Sequence, residues 1–407
     1  MPIEIESPEQ FGYERIKYNL AESSVTDLKF ASLGINLEDL ILAYGDHRGK
    51  PELRAALAEE AGNLEPDDVL LTAGAAAALF IIQSSLLKRN DRLLVMRPNY
   101  ATNIETPKAI GAQIDFLDLH FEDGFKLDVS KLEGHIKTDT KLVSLTNPHN
   151  PTGTVMSESD LRAVLEIIEA SNAYLLFDET YRDMNFGKLA PLAASLSKRA
   201  ISVSSMSKSY GLPGIRMGWL ITRDKNLQEK FLAAKEQIFI GNSVLDEEVA
   251  YQVFVKRHEI LEPTCAQIRS NFEILKAWML EQTNLTWIEP SGGVVCFPRI
   301  ANNIDLFKFY ETLEASGTFV GPGHWFEQAA QVKFSDQHFR LGYSWATTQE
   351  LEIGLKNITK ALEIDTKTSV EHPTPILVSR DASWCYNYLV LKTFTTLKFE
   401  TATGCQP

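Results

Sequence analysis

Between residues 50 and 240 short apolar runs alternate with stretches whose apolar positions recur at helical spacing. DVLLTA (68–73), RLLVM (92–96), QIDFLDL (113–119), KLVSLTNP (141–148), AYLLFDET (173–180), AISVSSMS (200–207) and RMGWLIT (216–222) read as strands. Between them, PELRAALAEEA (51–61) has Pro in a first-turn position and Gly just beyond its end, both helix signals. AAAALFIIQSSLL (75–87), residues 103–110 and the amphipathic SESDLRAVLEIIEAS (157–171) read as further helices. Strands alternating with helices predict a mostly parallel sheet covered on both faces, an α/β fold. In such sheets ligands gather at the carboxyl ends of the strands, so residues just after each run carry the most interest.

Past residue 245 the pattern changes. One long helical stretch is expected over 246–282, then a Gly-Gly turn feeding a strand in PSGGVVCFPRI (290–300). A helix at 305–315, a loop at GPGHWF (321–326), a strand at FRLGYSW (339–345) and a closing helix at 349–362 complete an α+β module. The expected division is an arm at 1–35 that joins the small domain, a large domain at 36–285, a small domain at 286–366 and an extension at 367–407. That extension has alternating strand character and suggests no function.

Composition narrows the classes. In 407 residues, 54 Asp+Glu against 40 Lys+Arg give a net charge of −14, which disfavours nonspecific binding to nucleic acid or an anionic membrane. Cys265, Cys296, Cys385 and Cys405 are scattered without metal-ligand spacing, which reads as a reducing compartment, and no metal is expected. The opening MPIEIESPEQ lacks the basic and apolar regions of a signal peptide, and no apolar run reaches the roughly 18 residues of a membrane helix. A cytoplasmic enzyme is expected.

The chemistry concentrates in SVSSMSKSYGLPGIRMGW (202–219), which sets Ser205, Lys208 and Arg216 beyond a strand in a loop rich in Gly and Pro. A lysine there can condense with an aldehyde, and the hydroxyl and guanidinium can share one phosphate. Asn150, in NPHNPTG, can donate to a ring oxygen; Tyr181, in FDETY, can do the same. Asp178 ends an apolar run, where a buried carboxylate needs a cation such as a protonated pyridine nitrogen. Gly74, Ala75 and Ala76 open a helix whose free amides suit a phosphate. Tyr100 can stack on a ring. Together these residues describe a site for pyridoxal 5′-phosphate.

From about residue 20 to 362 the chain resembles the fold-type I pyridoxal-phosphate enzymes, the aspartate aminotransferase superfamily of class I/II. The motifs SxSKxxGLPGxRxG, NPxNPTG and DETY carry that resemblance. It implies a large domain with a seven-stranded, mostly parallel sheet and a smaller α+β domain. It also implies Lys208 as the Schiff-base lysine, Asp178 as the pyridinium partner, and Asn150 and Tyr181 as ligands of the ring oxygen. Gly74, Ala75, Ala76, Ser205 and Arg216 match the phosphate cup, with Ala76 where many relatives have a hydroxyl residue. Tyr100 matches the stacking aromatic, and Tyr44, in YGDHRGKPELR, the tyrosine that reaches the neighbouring subunit's phosphate in a homodimer. Arg340 matches the clamp for the substrate α-carboxylate.

The fold hosts transamination, elimination, replacement and ring closure, so the cofactor does not select the reaction. YNLAESSV (18–25) is similar to a segment of 1-aminocyclopropane-1-carboxylate synthases. SKSYGLPGIRMGW, NPHNPTG, PSGGVVCFPRI and the HFRLGYS carboxylate motif resemble cyclases of the capreomycidine synthase type. No second arginine is obviously placed for a side-chain carboxylate. Glu22 and Glu9, with Glu4 and Glu6 in the same acidic arm, could instead meet a guanidinium. The expected reaction is therefore loss of water and ring closure on a hydroxylated arginine, through either Cβ or Cγ. The alternative is an aminotransferase using a 2-oxo acid. A cofactor-sensing regulator would need a DNA-binding module ahead of the domain, and none is expected in the short acidic N-terminal segment.

Overall fold

A computed structural model describes residue 8 and residues 12–187, 190–326 and 337–363. The described residues fall within one compact unit, Met1–Ile364. Glu4, Glu6, Glu9 and the 367–407 extension lie outside the described residues.

Two residues, β1 (Tyr18–Asn19), open the strand series. The large sheet follows as β2 (Val69–Thr72), β3 (Arg92–Arg97), β4 (Gln113–Asp118), β5 (Thr140–Thr146), β6 (Tyr174–Asp178), β7 (Ala200–Ser205) and β8 (Gly218–Ile221). Short strands complete the chain: β9 (Leu285–Thr286), β10 (Val295–Cys296), β11 (Arg299–Ile300), β12 (Thr318–Phe319), β13 (Gly321–Pro322) and β14 (Phe339–Gly342). The helices are α1 (Pro51–Ala61), α2 (Gly74–Leu86), α3 (Thr102–Ile110), α4 (Val129–His135), α5 (Glu158–Ala170) and α6 (Ala193–Leu196). They continue as α7 (Lys225–Phe239), α8 (Val244–Val255), α9 (Arg257–Leu280), α10 (Leu306–Ala315) and α11 (Thr348–Leu362).

The seven-stranded sheet has the order β2-β8-β7-β6-β5-β3-β4, with β8 alone antiparallel to its neighbours. Alternate residues of each strand supply opposite cores, as a sheet covered on both faces requires. Val143, Leu145, Leu175 and Phe177 pack with Leu161, Val164 and Ile168 of α5. Leu142, Leu176, Ile201 and Val203 pack with Leu79 and Ile82 of α2 and Phe231 of α7. Each large apolar side chain buried this way contributes about 1.5–3 kcal/mol. The continuous runs of the sequence are therefore strands with two dry faces.

Where one helix was expected over 246–282, the chain makes two, α8 and α9, broken at Lys256 (φ −95°, ψ 12°). The cause is a change of core. Val249, Val253 and Phe254 of α8 pack on the β2–β8 end of the molecule, whereas Ile268, Phe272 and Leu275 of α9 join the core of the smaller sheets. One straight helix could not serve both. The expected strands at 290–300 and 339–345 are shorter than their apolar runs, and they pair as the three-stranded β10-β14-β13. The stretch 321–326 holds β13 and a single 3₁₀ turn.

The N-terminal segment belongs to this smaller assembly: β1 pairs in parallel with β12, and Leu20 and Val25 lie in its core. Residues 20–22 cross β14 closely, with the Gly342 amide donating to the Leu20 carbonyl at 2.8 Å. A Cβ on Gly342 would stand 2.0 Å from the Glu22 carbonyl oxygen. Gly342→Ala must therefore displace the segment that carries Glu22. Denaturant unfolding should show a loss of about 2–4 kcal/mol, in the range of severe packing clashes; a loss under 1 kcal/mol would contradict this placement.

Candidate active site

Every candidate of the large sheet stands at one end of it, where the parallel strands finish and β8 begins. Asp178 ends β6 opposite Thr146 of β5, and Ser205 ends β7 opposite Gly218 of β8. Asn150 and Tyr181 follow β5 and β6, Lys208 follows β7, and Tyr100 follows β3.

Lys208 donates to Glu22 Oε1 at 3.1 Å. The backbone holds this meeting in place: the Val25 amide donates to the Lys208 carbonyl and the Leu28 amide to that of Gly211. Glu22 is buried, and burial alone would raise its pKa. Lys208 and Arg340 outweigh that penalty and hold the carboxyl below its ordinary value. Burial likewise works against the Lys208 ammonium, and Glu22 reverses it, so the lysine stays protonated. Both hydrogen bonds to the Glu22 carboxylate, from Lys208 and from the Ser23 amide, fall on Oε1.

Arg340 joins the same group. Its guanidinium donates from Nη2 and Nε to the Ala21 carbonyl at 2.6 and 3.1 Å, and from Nη1 to Asn150 Oδ1 at 3.2 Å. Asn150 Nδ2 in turn donates to the Tyr181 hydroxyl at 3.1 Å, and that hydroxyl donates to Ser23 Oγ at 3.0 Å. A fork held this way presents a fixed plane to a carboxylate. Glu22, Arg340, Asn150, Tyr181 and Lys208, dispersed over 319 positions, thus form one connected network.

Asp178 differs from Glu22. It is buried, its Oδ1 accepts from the Thr180 amide and hydroxyl at 3.0 and 2.6 Å, and both bonds fall on that one oxygen. No Lys, Arg or His among the described residues forms an ion pair with it, and burial raises its pKa. Such a carboxylate suits a cationic group brought by a ligand.

A second cradle lies at β2 and β8. Gly74 has φ +79°, and a Cβ there would stand 2.6 Å from Arg216 Nη2; a Cβ on Gly218 would stand 2.5 Å from the Gly74 carbonyl carbon. The two glycines let the guanidinium and the first turn of α2, with Ala75 and Ala76, come together. Arg216 itself is left-handed at φ +42°, a conformation costing about 1–3 kcal/mol that clusters at ligand sites. Its Nη1 donates to Ser207 Oγ at 3.3 Å, whereas Ser205 is buried in β7, its Oγ accepting from the Ser207 amide at 3.4 Å. The hydroxyl in contact with Arg216 is thus that of Ser207.

Sequence reasoning missed Ser207, Ser23, Thr180 and His149. Ser207 was visible as a second hydroxyl directly before Lys208; Ser23, Thr180 and His149 became meaningful only through contacts. Tyr100 is 39% exposed and Tyr44 is 89% exposed. Glu9 lies outside the described residues. Among the described residues no His/Cys/Asp/Glu cluster suits a metal ion, and no helix is long and apolar enough to cross a membrane.

An amine, an acid that lacks a cation and a glycine-lined guanidinium cradle are the donor set that pyridoxal 5′-phosphate requires. Residues 18–358 match the model of the family Aminotransferase class I and II. The chain belongs to that family. It is an enzyme whose cofactor is pyridoxal 5′-phosphate. It is similar to capreomycidine synthase of Streptomyces vinaceus, at 28% identity over 86% of this chain and 91% of that one. Among solved structures, a pyridoxal-phosphate-dependent aminotransferase from Streptococcus suis superposes with a TM-score of 0.79 at 29% identity. It covers 86% of this chain and 94% of its own. The pyridoxal-phosphate-dependent cyclase OrfR gives a TM-score of 0.77 at 25% identity, covering 89% and 98%.

His149 ties two of the site's loops together. It is buried, its Nε2 bonding the Pro98 carbonyl at 2.8 Å and its Nδ1 the Thr152 hydroxyl at 2.7 Å, which makes Nε2 the donor. Burial lowers its pKa from 6.5 to about 4. The unfolded chain therefore binds the extra proton between those values, and stability is lost as pH falls from 6.5 towards 4, by roughly 3 kcal/mol in all. His149→Gln should remove about one proton from the slope of unfolding free energy against pH between 5 and 6. An unchanged slope would contradict the buried neutral ring.

Proposed function

We propose that this enzyme removes water from a hydroxylated L-arginine and closes its guanidine into a ring. The supporting observation is the charge balance around Glu22. Its carboxylate is offset by Lys208 and Arg340. The cofactor would bind through the Lys208 amine, and Arg340 would hold the substrate α-carboxylate. A buried Glu22 then needs another cation, and a guanidinium meets that need with two parallel N–H donors.

The remaining residues take roles consistent with their positions. Gly74, Ala75, Ala76, Ser205, Ser207 and Arg216 would hold the cofactor phosphate, Asp178 its ring nitrogen, and Asn150 and Tyr181 its ring oxygen. Tyr100 would stack on the ring. When bound, the cofactor withdraws electrons from the substrate Cα. Lys208, released from the cofactor, is the base that takes the Cα proton. Arg340 fixes the carboxylate, and Glu22 fixes the guanidinium and aims one of its nitrogens at the carbon that loses oxygen. The hydroxyl leaves with a proton as water, a guanidine nitrogen that gives up an N–H proton forms the C–N bond to the vacated carbon, and Cα regains its proton, with no net oxidation. In the Cγ route a Cβ proton is also removed before water leaves and returned after closure. Closure at Cβ gives a six-membered ring and closure at Cγ a five-membered one.

The same assignment makes the active unit a homodimer. Ile41, Leu42 and Tyr44 are 80%, 77% and 89% exposed, beside exposed Ile238, Ile240 and Leu245. A contiguous apolar face of that kind suits a second copy of the chain, and Tyr44 would then reach the partner's cofactor phosphate.

The test is incubation of the loaded enzyme with L-arginine, its β- and γ-hydroxy derivatives and common amino acids, with and without a 2-oxo acid, read by mass. A product lighter by one water from a hydroxyarginine supports the reading. Transfer of the amino group to the oxo acid, without dehydration, favours an aminotransferase and overturns it. Glu22→Gln should raise KM for the hydroxyarginine about 10- to 100-fold, the worth of a charged hydrogen-bonded pair. An unchanged KM would remove Glu22 from substrate recognition.

A further inference from the structure

The loop that carries Tyr44 is fastened along residues 46–50 by charged side chains that take no part in the site described above. Asp46 Oδ2 accepts from Arg54 Nη2 at 3.3 Å, and Asp46 Oδ1 accepts from the Arg48 amide at 2.7 Å. The His47 carbonyl accepts from Lys235 Nζ at 2.7 Å, and His47 Nδ1 lies 2.7 Å from Glu236 Oε1. The Gly49 carbonyl accepts from Arg54 Nε at 3.1 Å. The Lys50 amide donates to Glu247 Oε2 at 3.0 Å, and the Lys50 ammonium pairs with Glu248 at 2.9 Å.

Three of these side chains come from the protein interior: Arg54, Lys235 and Glu247 are 5%, 0% and 3% exposed. Buried charges are costly and are usually repaid by close mutual pairing. Here Lys235 and Glu247 make no direct ion pair with each other; each directs a hydrogen bond to the loop backbone instead, and Glu247 Oε1 has no hydrogen-bond partner at all. Burial takes Lys235 down to about 8 and Glu247 up to about 7, with Asp46, Arg54, Glu236 and Lys50 as the other charges facing them. Gly49 adds a steric restraint: its φ is +103°, and a Cβ there would stand 2.5 Å from the Leu71 side chain. Residues 46–50 are thus restrained by hydrogen bonds and by close packing at Gly49, and Tyr44 stands exposed two residues before them.

We infer that Lys235, Glu247, Arg54 and Asp46 are positioning residues for Tyr44, and that they set how tightly the cofactor phosphate is held in the neighbouring subunit. The inference rests on the reading of Tyr44 as reaching across the dimer. A free tyrosine on a mobile loop would lose rotational and backbone freedom each time it met a phosphate. Fastening the loop in advance removes that cost, which is how preorganisation strengthens binding. Arg54, Lys235 and Glu247 lie in α1, α7 and α8 and Asp46 in the loop itself, so three helices of one subunit would aim a residue at the other subunit's site.

The experiment is a cofactor titration of the apo-enzyme, read by absorbance, in four proteins: wild type, Tyr44→Phe, Lys235→Met and the double variant. Sedimentation and thermal melting of the apo forms are measured alongside. Each single change should weaken cofactor binding about tenfold, with the dimer retained, and the double variant should bind no more weakly than Tyr44→Phe alone, the signature of two residues acting as one. Lys235→Arg should restore most of the affinity. Losses that multiply in the double variant, or full affinity in Lys235→Met, would overturn the inference. If Tyr44→Phe alone binds normally, the reading of Tyr44 falls and the inference falls with it. If Tyr44→Phe weakens binding and Lys235→Met does not, only the inference falls. Should Lys235→Met fail to fold, Glu247→Gln replaces it in the same cycle with the same expected and overturning results.

Discussion

The contact between Lys208 and Glu22 joins the two halves of the site, because it binds the end of β7 to the N-terminal segment that crosses β14. Its meaning is electrostatic more than structural. The lysine side chain is about a third exposed, so the pair is worth less than the 3–5 kcal/mol lost when a fully buried pair is broken. What it does is hold the amine charged and the carboxylate ionised until a ligand changes the balance. Arg340, two residues before the glycine that admits this segment, shares the same carbonyl and carboxylate neighbourhood.

Seen together, the two buried acids are set in opposite directions. Glu22 has two cationic neighbours and is pushed towards ionisation; Asp178 has none in an ion pair among the described residues and is pushed towards protonation. In the proposed reading the cofactor and substrate would reverse both conditions at once. A protonated ring nitrogen would supply a charge to Asp178, and a cofactor held by the Lys208 amine would take charge from Glu22. That exchange is the ground on which a substrate with a guanidinium side chain is proposed.

Much of this was legible in the chain itself. The seven strands stood out because a sheet dry on both faces demands continuous apolar runs, and the site residues because they follow those runs directly. Asp178, Asn150, Tyr181 and Lys208 were found this way. The network that links them was hidden, since Ser23, Thr180 and His149 are ordinary polar residues until distant segments meet. The break at Lys256 was hidden for a different reason: one helical period runs through two cores, and only packing reveals that the helix must turn. Helices α4, α6 and α7 also went unmarked; α4 and α6 are short, and α7 holds its place through Leu227 and Phe231 against the sheet.

Two amines compete for the cofactor aldehyde, and acidity and position favour different ones. Lys235, with its pKa lowered to about 8, is the more readily neutral amine, whereas Lys208 is kept protonated by Glu22. Position favours Lys208, which alone of the two follows β7 and meets Glu22 in the network with Arg340, Asn150 and Tyr181. Borohydride reduction of the loaded enzyme followed by peptide mapping separates them directly. One cofactor per chain, fixed to the peptide containing Lys208, is the predicted result; cofactor fixed to Lys235, or to no lysine, would contradict it.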